Sequence, residues 1–594
     1  MTKRFLCALA VGTALAGLAV TATRSEAAPR TTAIVGAIVF DGTGAAPHPA
    51  TVLIQDDRII AVGADVKVPS GAKVIEARGK ALTPGFYDLH THWTAGGEPD
   101  VFPPIATAYV KAGITTVNDF NEAPEAYAPL REWLGTLAAP HVNFAARIST
   151  PGGHGADWAD QATTKWVNTP EAARSAVESL AAYKPDLIKV FTDGWRYGAA
   201  PDNTSMDGWT LSALTEAAHQ QHLKVVTHTV TVERGLVAAK ANVDSLAHGL
   251  QDRVLTADEV QIIKASGMAE IPTLAVYDPN KDPSKPADAQ RLRKFDNALK
   301  NVKLLYDAGV PIALGTDAGM PQTPHGPSTL HELELLVRAG LTPAQALVAA
   351  TQTSAHLLAQ DGDRGTIAPG KRADILLFDG KPWENIADIH KLALTMIDGK
   401  PIYGLGAPPL PAANAARQLD PVKVPAAIDD FERGDGRSQL DTLRVDTPDG
   451  GIDRTVEISQ PVLRAGEGGG GGHALEITAR MAVKQHAYAG TAVPLSRGSI
   501  RPADLRGWHG VRLDVRGNDC QARVTLNGVA AASWSAAVTV SNTWQTIEVP
   551  FTSLHGDGKR ARPWTGTDVT QVELGASCPG GKKLWLQTDN WTFY

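Results

Sequence analysis

The chain has 594 residues, 43% of them hydrophobic and 20% charged, which is too long for a single hydrophobic core and ordinary for a soluble globular chain. Its 56 Lys and Arg against 63 Asp and Glu leave a net charge of −7, which argues against a nucleic acid or an anionic membrane as partner. Composition narrows the class and names no function.

Lys3 and Arg4 precede an apolar run from Phe5 to Val20, and a small-residue stretch ends at Ser25-Glu26-Ala27-Ala28. Charged, apolar and small residues in that order predict a secretory signal over 1–28 and a periplasmic or secreted mature chain. The run is short for a membrane span, and Cys7 lies inside it rather than at its end. No membrane attachment is therefore expected after cleavage. The mature chain keeps Cys520 and Cys578, an even pair that predicts one disulfide in an oxidising compartment.

Residues 33–40, 51–55, 58–62 and 73–77 read as short strands, with Asp56-Asp57 and Arg58 at a hairpin turn. From about residue 83 to 359, apolar strand-like runs alternate with amphipathic stretches. The runs include 142–148, 187–191, 224–227, 245–247 and 311–315; the stretches include 170–183 and 211–221. Such alternation predicts an α/β fold with a parallel sheet and crossover helices. Its length suits a closed (β/α)8 TIM-type barrel, while an open doubly wound sheet stays open as the alternative. Strand-like patterns return over 364–380 and 392–403, and with 29–82 they would form a small β-domain built from both flanks of the barrel.

Residues 404–427 are rich in Pro and Ala without periodicity and predict a semi-stiff linker. Residues 428–594 carry short alternating strands, many Gly turns and several Trp, as an all-β jelly-roll-like sandwich would. The run Gly468–Gly472 predicts a flexible loop. Trp508 and Trp564 either stack on sugars or fill the sandwich core, and the core reading is favoured.

The chemistry concentrates at the ends of the strand-like runs. His90 and His92 lie two apart in the stretch Thr83 to His92, so on a strand they share a face and could hold one metal ion at a barrel mouth. Lys189 sits in an apolar run, where a bare ammonium is costly unless paired or neutralised. His228, His248 and Asp317 each end a further run, in chain order. His154 is flanked by glycines in a loop after another run, and His325 follows soon after Asp317. His331-Glu332 and Glu334 are expected to open a solvated helix face.

The order His-x-His, Lys, His, His, Asp resembles the amidohydrolase superfamily, and specifically its secreted branch similar to imidazolonepropionases and prolidases. Gly113-Ile-Thr-Thr-Val117, the loop Thr150 to Gly155, the stretch His331 to Pro343 and the segment Gly365 to Ile375 match as well. The resemblance covers about residues 32–403. It implies that His90, His92 and Asp317 bind one divalent metal, and that His228 and His248 bind the second. It also implies a carbamate, formed by CO2 on Lys189, bridging the two ions. Zinc is favoured by the ligand types. The implied reaction is cleavage of an amide C–N bond, in a dipeptide or N-acyl amino acid, by a hydroxide held between the ions. Asp317 would serve as base and then acid, His154 would assist at the oxyanion, and His325 would be a substrate contact.

A cyclic amide or lactone substrate is the alternative reaction, and a glycan-binding protein with an inactive barrel is the alternative of another class. The C-terminal region more loosely resembles the complex I intermediate-associated proteins, sandwiches related to galactose-binding jelly rolls. Its role, whether carbohydrate binding, capping the barrel or forming a homo-oligomer, stays open.

Overall fold

The computed structural model describes residues 30–93, 101–157, 163–194, 202–282, 284, 287–411, 419–449, 454–464, 472–556 and 562–594. The expected secretory signal lies outside the described residues, as does most of the expected Gly468–Gly472 loop.

Seven parallel strands form the barrel sheet in the order Phe86–Thr91, Ile114–Asp119, His141–Ser149, Leu187–Phe191, Lys224–His228, Ser245–Ala247 and Ala269–Ile271. A segment over 311–318 closes the ring. It bonds to the last strand through Glu270 N to Pro311 O at 2.9 Å and to the first through Asp317 N to His90 O at 2.8 Å. The first strand reads Phe-Tyr-Asp-Leu-His-Thr and the fourth Leu-Ile-Lys-Val-Phe, and every position in both is buried. Strands covered on two faces lose the alternation of an exposed sheet, so their few polar residues stand out.

Helices wrap the ring and start where the sequence supplies caps. Thr169 accepts from Ala172 N ahead of Pro170, and Thr256 with Glu259 forms a capping box that Gly267 closes in the left-handed region. Their apolar faces make one core with the outer faces of the strands, while Tyr87, Leu89, Ala145, Val226 and Ile271 fill the barrel's interior.

The small β-domain does come from both flanks. Thr31–Val39 pairs with His48–Gln55, Lys73–Glu76 and Ala81–Pro84, and Ala81–Pro84 pairs with Ile375–Phe378 from beyond the barrel. Asp56 and Asp57 form the expected turn before Arg58–Gly63.

The C-terminal region is a sandwich of two sheets around its own core. It starts earlier than the composition implied. Val422–Lys423, inside the expected linker, pairs in parallel with Ala503–Asp504, because an edge strand of two residues leaves no periodic trace. Cys520 and Cys578 are joined by a disulfide. Trp508 stacks on Phe593 at 6.0 Å, and Trp564 packs on Phe551 at 4.7 Å, so both rings are engaged by the sandwich core. The sandwich is pinned to the barrel by a largely buried pair, Arg437 Nη2 to Glu125 Oε1 at 2.7 Å, and by Arg501 to Glu132 at 3.0 Å.

Candidate active site

Six of the eight residues singled out in the sequence converge at the C-terminal mouth of the barrel. His92 Nε2 lies 2.9 Å and His90 Nε2 3.3 Å from Asp317 Oδ1. Lys189 Nζ approaches His90 Nε2 at 3.4 Å and lies 4.5 Å from the centre of the Phe120 ring. The His248 ring stands 4.6 Å from both His90 and His228. A seventh, His154, stacks 4.3 Å from His228 and meets Phe191 edge-on. All seven line one cavity of about 780 Å³, which Tyr277, Lys281, Arg291 and Met320 from later in the chain extend outwards. His325, the eighth, is not in that lining; its Nδ1 meets the Tyr109 hydroxyl at 2.9 Å.

The backbone explains the aim of these side chains. His90, Lys189 and His228 lie on barrel strands, His92 and His248 just beyond strand ends and Asp317 on the closing segment. Two ligand candidates sit in the left-handed region, His248 at φ 94° and Asp317 at φ 62°. Non-glycine residues there carry strain that the surrounding structure must hold. Gly315 permits the approach of the closing segment, because a Cβ there would lie 2.5 Å from Ile271 Cγ2 and 3.0 Å from His90 N.

Burial dominates the electrostatics. It lowers the pKa of His90, His228 and His248, the last to about 3, and of His154, so each imidazole is neutral at neutral pH. Burial likewise lowers Lys189 to about 7, partly offset by Asp317. For Asp317, burial pushes upward, but the hydrogen bond and charge of His92 outweigh it and leave the carboxyl at about 2.

Two residues escaped or reversed the sequence reading. Asp88 accepts from Thr316 N at 3.1 Å, Thr316 Oγ1 at 2.8 Å and Thr329 Oγ1 at 2.7 Å, which ties the strand carrying His90 to the segment carrying Asp317. Burial pushes its carboxyl up to about 7. Its signal was present two residues before His90, on the same alternation. Glu332, expected on a solvated face, is 0% exposed. It accepts from Leu274 N at 2.8 Å and Ala275 N at 2.6 Å, holding the turn that leads to Tyr277. Only a charge, not a helical period, had suggested solvent there.

Comparison with known proteins places the barrel and its β-domain in a family. Residues 81–402 match the family model described as the amidohydrolase family. An imidazolonepropionase of Deinococcus deserti is 27% identical over 365 residues, covering 57% of this chain and 87% of that protein. An ochratoxinase of Aspergillus niger is 27% identical over 413 residues, covering 60% and 83%. The crystal structure of A. niger ochratoxinase superposes with a TM-score of 0.56 at 22% identity, over 64% of this chain and 96% of that one, and so shares its fold. The barrel, its two-flank β-domain and a match over more than half of the sequence lead to one conclusion: this chain belongs to the amidohydrolase family, a family of hydrolases.

Proposed function

We propose that the chain is an exported, binuclear metal-dependent hydrolase of an amide C–N bond, acting on a dipeptide or N-acyl amino acid. The observation that carries this reading is the convergence of four histidines, Asp317 and Lys189 in one cavity at the mouth of the barrel. Imidazole nitrogens and a carboxylate form a donor set suited to zinc and similar divalent ions. The atoms are arranged for such ions. The ligand atoms of His90, His92 and Asp317 lie within 4.8 Å of one another. His228 Nε2 is buried and makes no hydrogen bond. His248 commits Nδ1 to Thr273 Oγ1 at 2.8 Å, which leaves Nε2 for a ligand role. His90, His92 and Asp317 would hold one ion, His228 and His248 the other, and Lys189, carboxylated by CO2, would lie between them.

When bound, the ions supply an acidified water and polarise the substrate carbonyl. Asp317 then takes the proton of the attacking water and returns it to the leaving nitrogen. His154, in the cavity wall beside His228, donates to the carbonyl oxygen as negative charge develops. Phe120 and Phe191 back Lys189 with apolar surface that strengthens these interactions. The Cys520–Cys578 disulfide supports work in an oxidising compartment.

The test is hydrolysis by zinc- and bicarbonate-loaded protein across dipeptides, N-acyl amino acids, cyclic amides and lactones, with Lys189→Ala beside it. Linear amide cleavage that disappears in the variant is the expected result. Full activity in the variant would remove the lysine bridge. Cleavage confined to ring substrates would overturn the linear-amide reading.

A further inference from the structure

The loop that carries His154 is held by the C-terminal sandwich, which lies wholly outside the matched residues 81–402. Arg454 Nη2 donates to Ala156 O at 2.8 Å, and the guanidinium lies 5.8 Å from the centre of the Trp166 ring. Ala156 is two residues from His154 and is buried. Trp166 ends the short strand Thr164–Trp166, whose partner strand runs through Ser149. Ser149 Oγ in turn donates to His154 O at 2.6 Å. One guanidinium therefore touches both supports of the loop.

Arg454 is fixed from behind. Asp449 accepts from Thr455 N at 2.7 Å and Tyr488 N at 2.9 Å and pairs with Lys484 at 3.0 Å, which locks the strand base beside Arg454 to the sandwich. The loop's own backbone bonds, Gly153 N to Thr150 O at 2.8 Å and Ala156 N and Asp157 N to Gly153 O at 3.1 Å, shape its turn, and Arg454 ties that turn to the sandwich. Gly152 and Gly155 sit at φ 69° and 87°, where glycine leaves the unfolded chain its greatest freedom. Gly155 N bonds to Asp157 Oδ1 at 3.0 Å, and Asp157 is held from outside by Asn203 Nδ2 at 3.0 Å. Arg454 brings a planar, always-charged donor to the Ala156 carbonyl.

We propose that Arg454 is a positioning residue for His154, which makes the sandwich a working part of the hydrolytic site rather than a separate module. The inference rests on the amide-hydrolase reading above. A side chain that must meet a developing oxyanion loses much of its effect when displaced by an ångström or so.

The experiment compares wild type, Arg454→Met, Arg454→Lys, His154→Ala and the His154→Ala/Arg454→Met double variant, all as full chains loaded with zinc. Arg454→Met should lower kcat about 10-fold with KM within about twofold and metal content unchanged. Arg454→Lys, which can still reach a carbonyl, should recover most of the loss. The double variant should be no slower than His154→Ala alone, because the two residues act as one unit. Arg501→Ala, at the same domain interface but paired with Glu132 on another segment, should leave the kinetics unchanged. Losses that multiply in the double variant, or wild-type kinetics in Arg454→Met, would overturn the proposal while leaving the amide reading intact. Should wild type cleave no amide, that reading falls and hydrogen exchange decides the contact. Faster exchange of the 153–157 amides in Arg454→Met is expected, and unchanged exchange would overturn it.

Discussion

The barrel carries a cluster of His and Asp at each end, and the two are built from the same residue types. At the C-terminal mouth His90, His92 and Asp317 converge, and at the other end His141, Asp374 and Asp398 converge within the same 4.8 Å. The spacings are close too. His141 Nε2 lies 3.2 Å from Asp374 and 3.6 Å from Asp398. What differs is the charge around them. Arg372 bonds Asp398 at 2.7 Å and Arg364 stands 3.9 Å from Asp374. Among the described residues no arginine pairs with Asp317, whose neighbours are histidines and Lys189. A cluster whose carboxylates already face guanidinium groups gains little from a cation, whereas one made of imidazoles and a lone carboxylate with no guanidinium gains a great deal. Proximity of ligand types is thus a poor guide until the counter-charges are counted.

The largest effect expected from breaking this comparison is catalytic. His90→Ala should remove bound metal and lower kcat/KM by at least about 1,000-fold, since both nucleophile and electrophile depend on the ions. His141→Ala should leave metal content and kcat/KM at wild-type values. Metal analysis beside steady-state kinetics reads both. Equal metal loss in the two variants would show that the arginines do not separate the clusters.

Stability should divide the other way. Asp374 is 5% exposed, and His141→Ala leaves it the Asp398 N–H at 3.0 Å and, as a cation, only the distant Arg364. Removing one partner of a buried pair is costly, and with His141 partly exposed a loss of about 2 kcal/mol is expected in urea unfolding. Arg364→Met should weaken the same carboxylate by less, because its contact is longer. A His141→Ala protein as stable as wild type would mean that water already reaches Asp374.

How much of this was legible in the sequence follows from range. His90, His92, Lys189, His228, His248 and Asp317 could be read because each interrupts a buried apolar run, and parallel strands print such runs plainly. The two-flank β-domain was legible for a similar reason: its strands keep their pattern on either side of the barrel. Glu332 was misread because its charge alone suggested solvent, and a charge does not say which helix face is covered. Arg454 was out of reach altogether. Its partner Ala156 lies 298 residues away, and no local pattern encodes a contact of that separation. Val422–Lys423 was missed because two residues carry no period.

A buried carboxyl facing neither metal nor arginine sharpens the comparison with the smallest expected effect. Glu270, on the last barrel strand, is 0% exposed, and its oxygens make no side-chain hydrogen bond. Burial pushes its carboxyl up to about 8, with only the backbone of Leu250 drawing it back. Asp374 goes the opposite way: burial raises it, and the close His141 imidazole, then Arg364, more than reverse that and hold it below its ordinary value. The signs follow from proton counting. Between the unfolded value near 4.5 and about 8, folded Glu270 holds a proton that the unfolded chain has lost, so its contribution to stability is full at low pH and fades as pH rises through that window. Asp374 contributes fully above its unfolded value near 3.8 and loses that contribution as pH falls below it. Glu270→Gln should therefore flatten the decline in urea midpoint between about pH 5 and 8, by about 1 kcal/mol once water penetration is allowed for, and leave the acid limb alone. Asp374→Asn should flatten the acid limb and leave the neutral one alone. If both substitutions moved the same limb, burial rather than counter-charge would be what sets the fate of carboxyl groups in this barrel.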